Sequence, residues 1–232
     1  MLQKIPTGCI SFDKILEGGF HSEGISLVYG EPETGKTALA IQCAVNCARK
    51  DCKILFVDCD NTFHPRRLSQ IAGHDYDKVA ELIMLMRPNS FREQTIIVDQ
   101  LPDYVTTSLG LIVFDTVTSL YRLRVAELPT RTFELNRELN RQLASLAQLA
   151  RTQKVPILLT SQVRNVLKES SGDTVPVATR VVRFWAETII EMKPTENLRI
   201  VKATLEKNPE KTTPVTCSLI IEETGIHEYP AH

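Results

Sequence analysis

An α/β fold with a mainly parallel central sheet covered by helices is predicted by three features of the sequence. A complete G-x-x-x-x-G-K-T loop, Gly30-Glu31-Pro32-Glu33-Thr34-Gly35-Lys36-Thr37, stands between an apolar run and a helix-forming run. Up to residue 163, short runs rich in Ile, Val and Leu alternate with longer helix-patterned segments, as in strands joined by crossover helices. Beyond it the pattern changes to three strand-like segments, 187–192, 198–205 and 215–221, expected to add antiparallel pairing.

The first strand, 25–29, runs directly into the glycine loop, and a helix over 36–50 follows, opening with Lys36, Thr37 and Ala38. Strand, glycine loop and helix in that order are the context in which this loop binds phosphate; a chance glycine turn would lack both flanks. Gly30 and Gly35 allow the backbone to wrap an anion without Cβ clashes, and free N–H groups at the helix start point at it. Lys36 is expected to reach β- and γ-phosphates and Thr37 to offer its hydroxyl to Mg²⁺.

Strands over 53–58, 82–86, 110–114 and 155–161 continue the sheet, with helices over 65–73, 90–107 and 132–153 between them. The last helix carries the clearest stripe: Phe133, Leu135, Leu139, Leu143, Leu146 and Leu149, with Arg137, Glu138 and Arg141 on other faces. Pro156 marks re-entry into a strand. Residues 164–178 are polar and contain Ser170-Ser171-Gly172-Asp173, so a mobile loop is expected there. Asn208-Pro209-Glu210-Lys211 is expected to turn the chain between the last two strands.

Three strand ends carry candidate chemistry. Leu111-Ile112-Val113-Phe114-Asp115 ends in an acid suited to a Mg²⁺ shell. Phe56-Val57-Asp58-Cys59-Asp60 ends in two acids; one suits activation of an attacking water, and the same pattern fits a turn or helix-capping Asp. Thr160-Ser161-Gln162 places an amide where a γ-phosphate can be sensed, although a polar strand end that binds nothing has the same form.

Composition narrows the classes. Of 232 residues, 43% are hydrophobic and 24% charged, and the net charge of -1 gives no global basic field. Nucleic-acid binding must therefore rest on local patches and be weak or assisted. No stretch approaches the ~20 apolar residues of a membrane span, and the N-terminus has no apolar signal-peptide core; an intracellular protein with no membrane partner is expected. The six cysteines, Cys9, Cys43, Cys47, Cys52, Cys59 and Cys217, form no C-x-x-C pair. Cys43 and Cys47, four apart on a predicted helix, share a face, and reduced, mostly buried thiols are expected. The five histidines show no ligand spacing, and none is assigned a catalytic role.

Taken together, these stretches resemble the RecA-type recombinase superfamily and, within it, the archaeal RadB family, over nearly the whole chain. The stretches are Thr7 to Phe20, the phosphate loop, Asp58 to Leu68, Phe114 to Arg122, Leu135 to Leu143, and Leu158 to Val163. The resemblance implies one RecA-like ATPase core over residues 1–232, with C-terminal antiparallel strands and ATP and Mg²⁺ as ligands. It implies that Asp60 stands where the family has a water-activating Glu. A chain shorter by one methylene should hydrolyse ATP slowly or negligibly, since in-line attack tolerates little misplacement. By the same resemblance, Arg67 stacks on adenine and Gln162 senses the γ-phosphate. Arg122, Arg124 and Arg131 match a first DNA-binding loop, and Arg164 and Lys168 a second.

Residues 122–131 and 164–183 each carry a net +2, which suits phosphate contacts and equally suits ordinary solvated loops. Neither interleaves aromatics with its charges, so base stacking is not indicated. The turn at Glu206-Lys207 matches a segment that approaches a neighbouring subunit's ATP. Lys207 acts in trans if the chain oligomerises through its ATP face; a solvated hairpin lysine is the alternative. The phosphate loop begins at residue 30, so no helical DNA-binding domain or linker phenylalanine motif is expected ahead of the core.

Three readings follow. The first is an ATP-binding mediator of recombination and repair, cytoplasmic and nucleoid-associated, binding single-stranded DNA weakly. The resemblance gives it the main archaeal recombinase as partner, with a Holliday-junction nuclease as a further one. The second is a DNA-dependent ATPase that exchanges strands, against which Asp60 argues. The third is an ATPase switch acting on protein partners, of the circadian-clock or flagellar type.

Overall fold

The computed structural model describes residues 4–163, 177–210 and 214–229. In chain order the elements are β1 (Lys4–Ile5), α1 (Ile10–Ile15), β2 (Phe20–His21), β3 (Ile25–Gly30), α2 (Lys36–Ala48), β4 (Lys53–Asp58), α3 (Pro65–Ala72), α4 (Tyr76–Leu82) and β5 (Ile83–Met86). Then come α5 (Phe91–Tyr104), β6 (Leu109–Asp115), α6 (Ser119–Glu127), α7 (Thr132–Gln153), β7 (Ile157–Gln162), α8 (Val177–Trp185), β8 (Thr188–Pro194), β9 (Ile200–Lys207), β10 (Val215–Glu222) and β11 (Gly225–Glu228).

Nine strands form one sheet in the order β11-β10-β9-β8-β3-β7-β6-β4-β5, and β1 pairs with β2 separately. β3, β4 and β6 are buried along nearly their whole length. That is why they read as continuous apolar runs rather than alternating ones. One hydrophobic core packs α2, α3 and α4 on one face, and a second packs α5, α7 and α8 on the other.

Local chemistry sets the helix limits. Ser90 caps α5: its hydroxyl accepts from Glu93 N at 3.1 Å, as in the first half of a capping box, while the Glu93 carboxylate accepts from Asn89 N, one residue ahead of the cap, at 2.8 Å. α7 ends where Lys154 turns left-handed, two residues before Pro156. Phe133 leaves the predicted stripe and is 73% exposed. Six residues ahead of Leu139, it lies roughly 120° around the helix from it at 3.6 residues per turn.

One strand differs from expectation in direction. β8, expected to pair antiparallel, is parallel to β3 along Ser26–Gly30 and antiparallel only to β9. The crossover that makes it parallel is α8, which the polar residues ahead of it obscured. Of the expected loop over 164–178, residues 164–176 lie outside the described residues and the rest belong to α8. A fourth late strand, β11, was not anticipated.

β8 approaches β3 so closely that a Cβ on Gly30 would lie 2.0 Å from the Met192 carbonyl oxygen. The first loop glycine is therefore required by sheet packing. Gly30→Ala is expected to cost about 2–3 kcal/mol as β8 is forced away, measured by urea unfolding; an unchanged midpoint would refute the steric account.

Candidate nucleotide-binding site

The site lies at the carboxyl ends of β3, β7, β6 and β4, where open parallel sheets place ligands. Gly30 pairs with Gln162 across β3 and β7, and Asp58 with Asp115 across β4 and β6. Parallel register therefore brings the loop, the amide and both acids to one edge.

Gly35 caps α2 in the left-handed conformation, φ 83°, so the helix N–H groups open onto the loop. Glu33 also takes a positive φ, 63°, and Pro32 is exposed. Thr34 is buried and donates to the Glu31 carbonyl at 2.9 Å. The Lys36 ammonium donates to the same carbonyl and to Thr34 Oγ1 at 3.2 Å. Only 8% of Lys36 is exposed. Burial pulls its pKa down to about 8, opposed by the nearby carboxylates of Asp115, Asp60 and Glu31. A desolvated ammonium among acids is well suited to an anionic ligand.

Asp115 is buried, and burial raises its pKa. Three threonine hydroxyls oppose that shift: Thr160, Thr37 and Thr62, the last donating at 3.2 Å. Thr37 opens α2 and Asp115 ends β6, so one hydroxyl and one carboxylate meet beside the loop. An all-oxygen donor pair of this kind fits a hard cation such as Mg²⁺. The Asp115–Thr116 peptide is cis.

The two acids after β4 have separate placements. Asp58 is fully buried and accepts from Thr62 N at 2.9 Å, Phe63 N at 3.1 Å and Arg87 Nε at 3.1 Å. It holds the turn after β4. Asp60, two residues on, is exposed and within electrostatic reach of Lys36. Of the two acids, only Asp60 is exposed.

Arg67 on α3 lines a cavity of about 270 Å³ with Gly35, Lys36, Thr37, Ala38 and Ile221. Its guanidinium donates to the Glu223 carbonyl at 2.9 Å, which holds it over the cavity from the β10–β11 turn. Thr37 was expected beside Asp115, but sequence reasoning missed the hydroxyls of Thr160 and Thr62 there, for which Thr160 in the quoted strand end was the available signal. It also missed Arg87, which carries no local signal.

A sequence profile described as Rad51 matches residues 1–229. The chain belongs to the Rad51 family. Among similar proteins is a "DNA repair and recombination protein RadB" of Methanococcus maripaludis (strain C5 / ATCC BAA-1333). It is 30% identical over 196 residues, 84% of this chain and 87% of that protein. A protein of the same description from Methanobrevibacter smithii is 29% identical over 227 residues, 96% of this chain and 95% of that one. A crystal structure of the RadB recombinase superposes with a TM-score of 0.81 at 25% identity, covering 97% of this chain and all of that one. The resemblance to RadB read from the motifs is thus borne out in sequence and in fold.

The remaining candidate residues are placed as follows. Arg122 lies on α6 and donates to the Gln162 carbonyl at 2.8 Å. Arg124 pairs with Glu127 at 2.8 Å and Arg131 with Glu134 at 2.5 Å. Glu134 lies three residues beyond Arg131, so the first basic patch is weaker than the net +2 of residues 122–131. Arg164 and Lys168 lie outside the described residues. Lys207 donates to the Ala186 carbonyl of its own chain at 2.6 Å, and its neighbour Glu206 pairs with Arg183 at 2.8 Å. Among the described residues, no helix is long and apolar enough to cross a membrane, and no group of three or more His, Cys, Asp or Glu forms a metal site.

Proposed function

We propose that this Rad51-family chain is an ATP-binding accessory protein of homologous recombination and DNA repair, in which ATP serves mainly as a conformational ligand and is hydrolysed slowly. The carrying observation is the convergence of Lys36, Thr37 and Asp115 at the mouth of the loop, with Gln162 paired to Gly30 beside them. Thr37 and Asp115 would hold Mg²⁺, which supplies charge neutralisation of the phosphates. Lys36 binds the β- and γ-phosphates, and Arg67 stacks on the base across the cavity it lines.

Gln162 supports the conformational role. Its carbonyl is held by Arg122, so a shift of the β7 end on phosphate binding is passed to α6 and its arginines, a local change with a wider readout. DNA is engaged by Arg122, Arg124, Arg131, Arg164 and Lys168. The carboxylate partners of Arg124 and Arg131 argue for weak binding that falls with salt. The partners that fit this role are single-stranded DNA and the main recombinase, with a junction-cutting nuclease as a further one. Pull-down showing no association with the recombinase, with or without ATP, would remove that partner.

Slow hydrolysis rests on Asp60. Its exposure beside Lys36 suits a base, but its side chain is shorter than Glu by about 1.5 Å, one C–C bond. ATP turnover and affinity of the wild type and Asp60→Glu, with and without single-stranded DNA, test this. Tight binding with almost no turnover, raised tenfold or more by Glu, is expected. Brisk DNA-stimulated turnover in the wild type would favour the strand-exchange enzyme instead.

A further inference from the structure

The end of α2 places two cysteines together in a way the sequence did not suggest. Asp51 takes a left-handed φ of 60°. Its N–H bonds to the Ala48 carbonyl at 2.8 Å, and Cys52 N–H bonds back to the Cys47 carbonyl at 3.4 Å. These are the two hydrogen bonds of a Schellman motif, with Asp51 as the left-handed residue after the helix. In that motif the side chains at the two ends of the longer bond pack on each other. Here both are cysteines.

Gly110 on β6 supplies an independent observation. A Cβ there would lie 2.7 Å from Cys47 Sγ, 2.6 Å from Cys52 Cβ and 3.1 Å from Cys52 Sγ. Gly110 has no left-handed φ to require a glycine, so its role is to leave space into which both sulfurs converge. The two thiols lie close enough that Cys52 helps to raise the pKa of Cys47. Cys47 is buried and Cys52 is half-buried, its thiol facing the Lys50 carbonyl at 3.6 Å.

We infer that Cys47 and Cys52 form a dithiol–disulfide site that closes by exchange with a low-molecular-weight disulfide. The backbone pairing of Cys52 with Cys47 holds their Cα atoms close, as a disulfide requires. Cys52, the more accessible, attacks as thiolate on one sulfur of the external disulfide; a mixed disulfide forms and one thiol leaves. Cys47 then gives up its proton and attacks the Cys52 sulfur, expelling the second thiol. The protein loses two hydrogens and the external disulfide is reduced to two thiols. Burial pushes the Cys47 thiol up, which makes the second step the slow one. The cross-link fastens the end of the helix that opens with Lys36 and Thr37 to the residue ahead of β4.

The test is incubation of the folded full-length chain with oxidised glutathione, followed by intact mass, alkylation and a non-reducing tryptic map. The expected product has lost about 2 Da, retains no glutathione and links the Asp51–Lys53 peptide to the Thr37–Arg49 peptide. Cys43→Ser should keep this linkage, which assigns it to Cys47. Cys47→Ser should stop at glutathionylated Cys52, and Cys52→Ser should give neither product. Glutathione retained on wild-type Cys52 at equilibrium would overturn the inference. So would a linkage found only between Cys9 and Cys217, which also lie near each other, or no reaction at Cys52.

Discussion

Lys36→Ala is expected to weaken ATP binding in the presence of Mg²⁺ by 100-fold or more, with little change in the unfolding midpoint. The two effects separate because of where the ammonium sits. It is nearly buried, and burial pulls its pKa down to about 8. Holding a charge there already costs the fold something. Removing it gives up hydrogen bonds to the Glu31 carbonyl and Thr34 Oγ1 but also relieves that desolvation, so the net stability change is small. For the ligand there is no such compensation. A charge-assisted hydrogen bond contributes about 1.5–3 kcal/mol net, and about 1.4 kcal/mol is tenfold in affinity. Removing one such bond to phosphate without replacement approaches 100-fold, and removing two exceeds it. Calorimetric titration and thermal melts on the same two proteins check both halves. An affinity within threefold of wild type would mean that the loop does not bind phosphate through Lys36.

How much of this was legible in the sequence depends on the range of the interaction. The phosphate loop, Asp115 and Gln162 are local patterns at strand ends, and parallel register alone brings them together. The direction of β8 was not legible, because it is set by a crossover through α8 whose polar approach reads as loop. Phe133 failed for an angular reason, since a residue can fit a list of apolar positions and still point away from the stripe. The cysteines failed in the same manner. Spacing by four put Cys43 with Cys47, whereas the left-handed turn at Asp51 folds Cys52 back onto Cys47. Nothing in the sequence marks that turn, because the residue is Asp rather than the usual Gly.

The acids after β4 show where local pattern stops and long-range packing decides. In the sequence Asp58 and Asp60 are two acids at a strand end; in the structure one is buried in a network of hydrogen bonds and the other is exposed within electrostatic reach of Lys36. Asp58→Ala is expected to destabilise the protein by about 2–3 kcal/mol. The backbone N–H of buried Phe63 would lose its acceptor, at about 1–3 kcal/mol, whereas that of Thr62, an exposed residue, can turn to water at less cost. Arg87 would lose its partner too, but it is 44% exposed and water can replace the carboxylate, so that loss adds little. The turn carrying Asp60 and Thr62 would loosen, and with it the Thr62 hydroxyl bond to Asp115, so ATP affinity should fall alongside stability. Asp60→Ala should leave stability within about 0.5 kcal/mol, as for exposed side chains generally, and act only on turnover. Denaturant unfolding of both variants decides the assignment. Equal losses of stability would mean that the two acids share one role and that the division between scaffold and base is wrong.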